Sequence, residues 1–244
     1  MLIGITEAGD ASLDYAWVNK MPMIDGAILI TKNITPKFID EILKVKDKVI
    51  LHASCTGYGG TVVEPNLPEY TKQLDNVKKL IELGFPKNQI IVRIDPIIPT
   101  EEGIKKVERI VEYIKEDIQR FRVSVIDMYP HVQTRFKEVG LPVPFNGQFQ
   151  ASEEEFKLLD DTLRKLSKDY GVTFESCAEK YLYSVKKTGC VSEQDINLLG
   201  LELDDDSLKH QRPNCMCCSA KTELLEHKTK NYGCEYKCLY CYWK

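Results

Sequence analysis

The amino-acid sequence predicts an α/β protein of the incomplete (β/α)6-type barrel class, a partial TIM barrel with a cysteine-rich terminal segment. Three observations predict it. Short β-branched runs alternate with longer stretches of helical period up to about residue 177, the pattern of a parallel sheet built from βα units. Several of those runs are almost continuously apolar, as strands covered on both faces are. Beyond Asp206 the periodicity fades, and six of the nine cysteines crowd the last thirty residues, which suggests a segment folded around metal rather than around an apolar core.

Six strands are expected, at Leu2–Thr6, Gly26–Thr31, Lys48–Ser54, Gln89–Asp95, Phe121–Asp127 and Val172–Ser176. The helices between them carry their own punctuation. Thr35 and Pro36 supply an N-cap and first-turn proline before FIDEIL. Thr100 precedes Ile104, Val107, Val111, Ile114 and Ile118, spaced so that one stripe faces the sheet. Ser152 with Glu155 is a capping-box signature for a helix ending near Gly171, and Gly84 closes one beginning near Glu69. Pro130 to Gln150 is rich in proline and glycine without a long period, so a loop region with room for one short helix is expected. No internal repeat or linker interrupts the chain. Residues 1–206 are expected to form the partial barrel, and residues 207–244 a cluster-binding segment completing the same domain.

Composition narrows the function classes. An apolar fraction of 43% and a charged fraction of 29% suit a water-facing globular protein of 244 residues. No apolar run approaches the roughly 20 residues that span a bilayer. Met1, Leu2, Ile3, Gly4 and Ile5 read as a strand rather than a leader, so a cytoplasmic location without membrane association is expected. The formal charge of −4 gives no global attraction to phosphate backbones. Clustered thiols in a reducing compartment are usually metal-binding or redox-active.

Cys234, Cys238 and Cys241 stand in a CxxxCxxC spacing. A [4Fe–4S] cluster ordinarily takes four cysteines, so three leave one iron open to an exogenous ligand. The strand ends, where ligands sit in such folds, carry recurring polar residues: Thr31-Lys32, Ser54-Cys55-Thr56, Arg93-Ile94-Asp95-Pro96, Asp127-Met128-Tyr129 and Ser176-Cys177-Ala178-Glu179.

The run from Asn231 through Cys234, Cys238, Tyr240 and Cys241, with an aromatic directly before the third cysteine, resembles the cluster loop of radical S-adenosylmethionine enzymes. With Thr31-Lys32, Ser54-x-Thr56 and Arg93-x-Asp95-Pro96 in that order, the chain is most similar among them to spore photoproduct lyase relatives. The resemblance implies a [4Fe–4S] cluster on the three cysteines and S-adenosylmethionine against Thr31, Lys32, Ser54, Thr56, Arg93, Asp95 and Tyr240. It also implies generation of a 5′-deoxyadenosyl radical, with an electron donor such as flavodoxin or ferredoxin. Those enzymes carry the loop after their first strand, whereas here it follows the last. A circular permutation reconciles the orders if a strand near Thr222–Lys228 lies beside the first. The chain also resembles a domain family of unknown function defined by such a C-terminal cysteine cluster, whose members share Thr56 to Gly59 and a CxC pair. A small molecule, a peptide or a modified nucleobase are equally open as substrates.

A second iron–sulfur cluster on Cys177, Cys190, Cys215 and Cys217 is a further expectation, since the CxC pair can offer two thiolates to one centre. The competing readings are a zinc-binding α/β module that docks protein or nucleic acid and a ferredoxin-like electron carrier. Cys55 and His52, within apolar surroundings, read as core residues. Tyr129, His131, Glu175 and Glu179 are candidate substrate contacts.

Overall fold

The helix caps are local signals, and they form as the sequence predicts. The computed structural model describes residues 1–177, 179–202, 221–226 and 233–243. Its elements run β1 (Ile3–Ile5), α1 (Ala16–Lys20), β2 (Gly26–Thr31), α2 (Pro36–Leu43), β3 (Val49–Ser54), α3 (Tyr70–Glu82), β4 (Ile90–Ile97), α4 (Glu101–Ile114), β5 (Arg120–Val125), α5 (Pro130–Glu138), α6 (Glu153–Tyr170), β6 (Thr173–Ser176), β7 (Lys186–Lys187), α7 (Glu193–Leu198) and β8 (Lys221–Glu223). Thr35 accepts from the Phe38 N–H and Thr100 from the Gly103 N–H. Ser152 and Glu155 close the capping box, and Gly171 ends α6 in the left-handed conformation. Each such cap is worth about 1 kcal/mol. The stretch expected as loop holds the nine-residue α5, which starts on Pro130, where a missing N–H costs a helix nothing.

All six expected strands form, but among the described residues the sheet has eight. Its order is β7-β6-β5-β4-β3-β2-β1-β8, and every pairing is parallel. The added β7 is two exposed lysines, too short for a periodic signal. The added β8 occupies the start of the strand expected near Thr222–Lys228 and pairs with β1, with Ile3 opposite Lys221 and Ile5 opposite Glu223. Residues 227 and 228 lie outside the described residues.

Side chains alternate between the two faces of the sheet. One face, with Leu29, Leu51, Val92 and Val123, packs against the apolar stripes of α2, α3, α4 and α6. On the other, Ile3, Ile5, Ile28, Ile50 and Ile91 meet Val191 and Ile196 of the α7 segment. No helix among the described residues is long and apolar enough to cross a membrane.

That second face turns ionic towards β5 and β6. Glu175, fully buried, accepts from Arg120 Nη2 at 3.1 Å and Arg122 Nη2 at 2.7 Å. Arg120 Nη1 lies 2.9 Å from Asp195 Oδ1, tying α7 to the sheet. Glu175 is therefore an ion-pair centre rather than a substrate contact, and its charge is spent on two arginines. His52 lies on the same face with no hydrogen-bond partner on either ring nitrogen among the described residues. Burial, reinforced by Arg122, Arg93 and Arg120, holds its pKa well below the ordinary range.

Two outcomes follow for stability. Glu175→Ala leaves Asp195 as the one carboxylate facing two buried guanidinium groups and is expected to cost about 3–5 kcal/mol in urea unfolding, whereas Glu112→Ala, at the exposed pair with Lys115, shifts the midpoint far less. For His52, the unfolded chain takes up a proton below about pH 6.5 and the folded chain does not. Its contribution to stability is therefore lost as pH falls through that value. His52→Leu is expected to lose stability less steeply than wild type on acidification; parallel profiles would contradict it.

Candidate cysteine-loop site

Residues that follow strands make the site, because the sheet delivers each of them to its C-terminal rim. The loop carrying Cys234, Cys238 and Cys241 lies against that rim. Leu239 donates its N–H to Val63 O at 3.0 Å, in the segment after β3. Asn66 Nδ2 donates to Glu235 O at 2.6 Å. From α5, Arg135 donates through Nη1 to Cys241 O at 2.5 Å and through Nη2 to Trp243 O at 2.7 Å. Within the loop, Lys237 N–H reaches Cys234 O at 3.3 Å and Cys241 N–H reaches Cys238 O at 3.1 Å. Lys237 takes a φ of 52°, a left-handed conformation uncommon outside glycine, and so turns the chain between the first two cysteines.

Two tyrosines fasten the loop from within, one on each side of Cys238. Tyr240 donates its hydroxyl to the buried Glu64 carboxylate and accepts from Lys32 Nζ at 2.8 Å. Lys32 Nζ is 3.4 Å from Glu64 Oε1 and also donates to Asp95 O at 3.3 Å. Tyr236 lies 2.8 Å from Ser12 Oγ, which itself donates to Asp10 Oδ1 at 2.8 Å, so the tyrosine hydroxyl donates to the serine. The same Asp10 carboxylate accepts from Ser12 N, from Thr31 Oγ1 at 2.8 Å and from Lys32 N at 2.7 Å. Burial raises the pKa of Asp10 despite these donors. Burial alone would lower that of Lys32, but Glu64, Cys238, Asp95 and Asp10 outweigh it and the net shift is upward.

The thiols are buried or half-buried. Burial pushes Cys238 up to about 12 and Cys234 upward, with the Tyr236 N–H opposing the shift at Cys234. Cys241 adds to the upward shift at both Cys234 and Cys238, and Cys234 to that at Cys238. No three His, Cys, Asp or Glu side chains among the described residues converge closely enough to hold a single metal ion. Of the four cysteines expected for a second cluster, Cys215 and Cys217 lie outside the described residues. Cys190 sits beside Glu7, whose pKa is raised by burial and then by that thiol, while its carbonyl accepts from Arg122 at 3.1 Å. Cys177 is half-buried after β6.

The remaining expected positions divide. Lys32 and Tyr240 touch. Ser54 and Thr56 line a recess of about 10 Å³ together with Lys32 and Glu64, room for about one water. Arg93 pairs with Asp95 across one strand face. Thr31 turns its hydroxyl to Asp10, which commits it to the scaffold. Glu179 accepts from Ser124 Oγ at 2.9 Å and Val125 N at 2.8 Å; burial raises its pKa, with Asp127 and Asp95 adding to the effect. Tyr129 stacks on His131 at 5.7 Å between centroids, at the start of α5. Asp10, Ser12, Glu64 and Arg135 escaped sequence reasoning, since no fixed spacing links them to the cysteines, and Tyr236, though inside the motif, gives no sequence sign of its partner Ser12.

Fold and site define the class: an all-parallel α/β protein that presents three clustered cysteines on a loop fastened to the ends of its strands. The sequence profile of the family described as a domain of unknown function, DUF1848, matches residues 15–243. The chain belongs to that family. No curated protein sequence matches it. Among solved structures, an HpcH/HpaI aldolase from Desulfitobacterium hafniense DCB-2 is similar at a TM-score of 0.30 and 10% identity, over 72% of this chain and 76% of that one.

Asp10→Asn tests the scaffold under the loop. An amide cannot accept on both sides, so one of the donors around it faces an N–H₂ group. The expected loss is about 1–3 kcal/mol in denaturant unfolding. Unchanged stability would remove Asp10 from the account of the site.

Proposed function

We propose that this chain is a radical S-adenosylmethionine enzyme whose [4Fe–4S] cluster is held by Cys234, Cys238 and Cys241. The observation that supports it most is the seating of a CxxxCxxC loop on the C-terminal rim of a parallel sheet, with its tyrosines buried and its thiols within electrostatic reach of one another. Three thiolates occupy three irons and leave the fourth for an exogenous ligand. Three thiolates on one short loop could each bind one iron of a cubane and leave the fourth iron open, whereas a closed tetrahedral zinc site would need a fourth protein ligand. Bound there with S-adenosylmethionine, the cluster supplies a reductively released 5′-deoxyadenosyl radical able to abstract hydrogen.

The chain's own residues do the rest. The thiolates carry the cluster, and Lys32, Tyr240 and Glu64 hold the loop. Ser54, Thr56 and the Arg93–Asp95 pair are the proposed contacts for the nucleoside and methionine parts of the cofactor. The β8–β1 pairing supports a circularly permuted order of the radical S-adenosylmethionine elements. The electron would come from a flavodoxin or ferredoxin, and the substrate is a small molecule, a peptide or a nucleobase. Anaerobic reconstitution with iron and sulfide is expected to give a brown protein absorbing broadly near about 400 nm, with Cys234→Ala binding about four fewer irons per chain. Reduction with S-adenosylmethionine is expected to release 5′-deoxyadenosine from wild type and not from Cys234→Ala. Stoichiometric zinc in a colourless protein would overturn the reading.

A further inference from the structure

Lys32 is held from both ends. Asp10 takes its backbone N–H at 2.7 Å, while Glu64 and Tyr240 take its ammonium at 3.4 and 2.8 Å. The ammonium also lies 5.0 Å from the centre of the Tyr240 ring, within cation–π range. Asp10 is the carboxylate that Tyr236 reaches through Ser12. The two tyrosine anchors, at positions 236 and 240, therefore meet at one residue, and Cys238 lies midway between them in the chain. A side chain used only to seat a loop needs no charge. Here a positive charge is clamped between a buried carboxylate and the phenol of a residue two positions from Cys238.

We infer that Lys32, clamped by Glu64 and Tyr240, is a positioning residue that fixes the Cys238–Cys241 part of the loop before any metal arrives and sets a permanent positive charge at that part of the loop. The charge part rests on the proposed function; the anchoring part rests on the hydrogen bonds alone. A fixed cation near a cluster favours the reduced form, and a fixed anion the oxidised one.

Two measurements test this. In the metal-free full chain, Glu64→Gln and Tyr240→Phe are expected to speed amide exchange at Leu239 and Cys241 by roughly tenfold, while amides in β3 and β4 stay as in wild type. Tyr240→Phe keeps the ring buried and guards against simple misfolding in the other variant. In the reconstituted protein, Lys32→Met is expected to lower the cluster's midpoint potential and Glu64→Gln to raise it. A role in packing alone would move both the same way or neither. Unchanged exchange in both variants, or potentials that shift together, would overturn the inference. If exchange speeds up but wild type takes up no iron–sulfur cluster, the anchor stands and the proposed function falls. If wild type loads a cluster while exchange and potentials ignore the substitutions, the anchor falls and the proposed function stands.

Discussion

The pairing of β8 with β1 is the contact on which the site depends. Three residues on each side align in parallel, and through them a segment more than two hundred positions from Gly4 becomes the edge of the same sheet. The join is reinforced by charge. Glu223 accepts from the N–H groups of Glu7 and Ala8 at 3.1 and 2.8 Å, and Lys221 Nζ reaches Glu7 at 2.7 Å. Gly4 is required by close approach: a Cβ there would meet Leu224 Cδ1 at 2.6 Å. The edge sets the chain beside the strand ends that supply Lys32, Ser54 and Arg93, where the cysteine loop's own hydrogen bonds hold it.

Once the loop reaches the rim, buried carboxylates do the fastening. Asp10 and Glu64 are both nearly inaccessible to water, and a buried carboxylate without partners is costly. Each is supplied with donors: Tyr240 of the cysteine loop donates to Glu64 directly, and Tyr236 reaches Asp10 through the Ser12 hydroxyl. The scaffold is thus incomplete without the loop, so loop and sheet stabilise each other. This coupling adds to the burial of Tyr236, Cys238 and Tyr240 in the core as a hold on the loop.

What the sequence made legible was local. Thr35, Thr100, Ser152 and Gly171 act on residues three or four positions away, so their helices were readable from spacing alone. The six longer strands announced themselves by apolar continuity, and CxxxCxxC by its spacing. What stayed hidden was paired over distance. Glu175 read as a substrate contact because its partners Arg120 and Arg122, which it shares with Asp195, are set by strand order and by the path of α7. Glu64 drew no notice because its partners lie at positions 32 and 240. Thr31 and Lys32, adjacent in sequence, point one side chain into the scaffold and the other at the loop, a difference that alternation along a strand creates and a motif conceals. The two-lysine β7 carries no period, and β8 is legible only once β1 is known to need a neighbour.

The central claim is that three sulfurs at the rim bind a cluster with one iron left open. Electron paramagnetic resonance of the reconstituted, reduced protein, recorded before and after adding S-adenosylmethionine, tests it most directly. The account predicts a [4Fe–4S]⁺ signal whose g-values move when the cofactor's amino and carboxylate groups take the open iron. A signal that the cofactor leaves untouched, or no cluster signal at all, would contradict it.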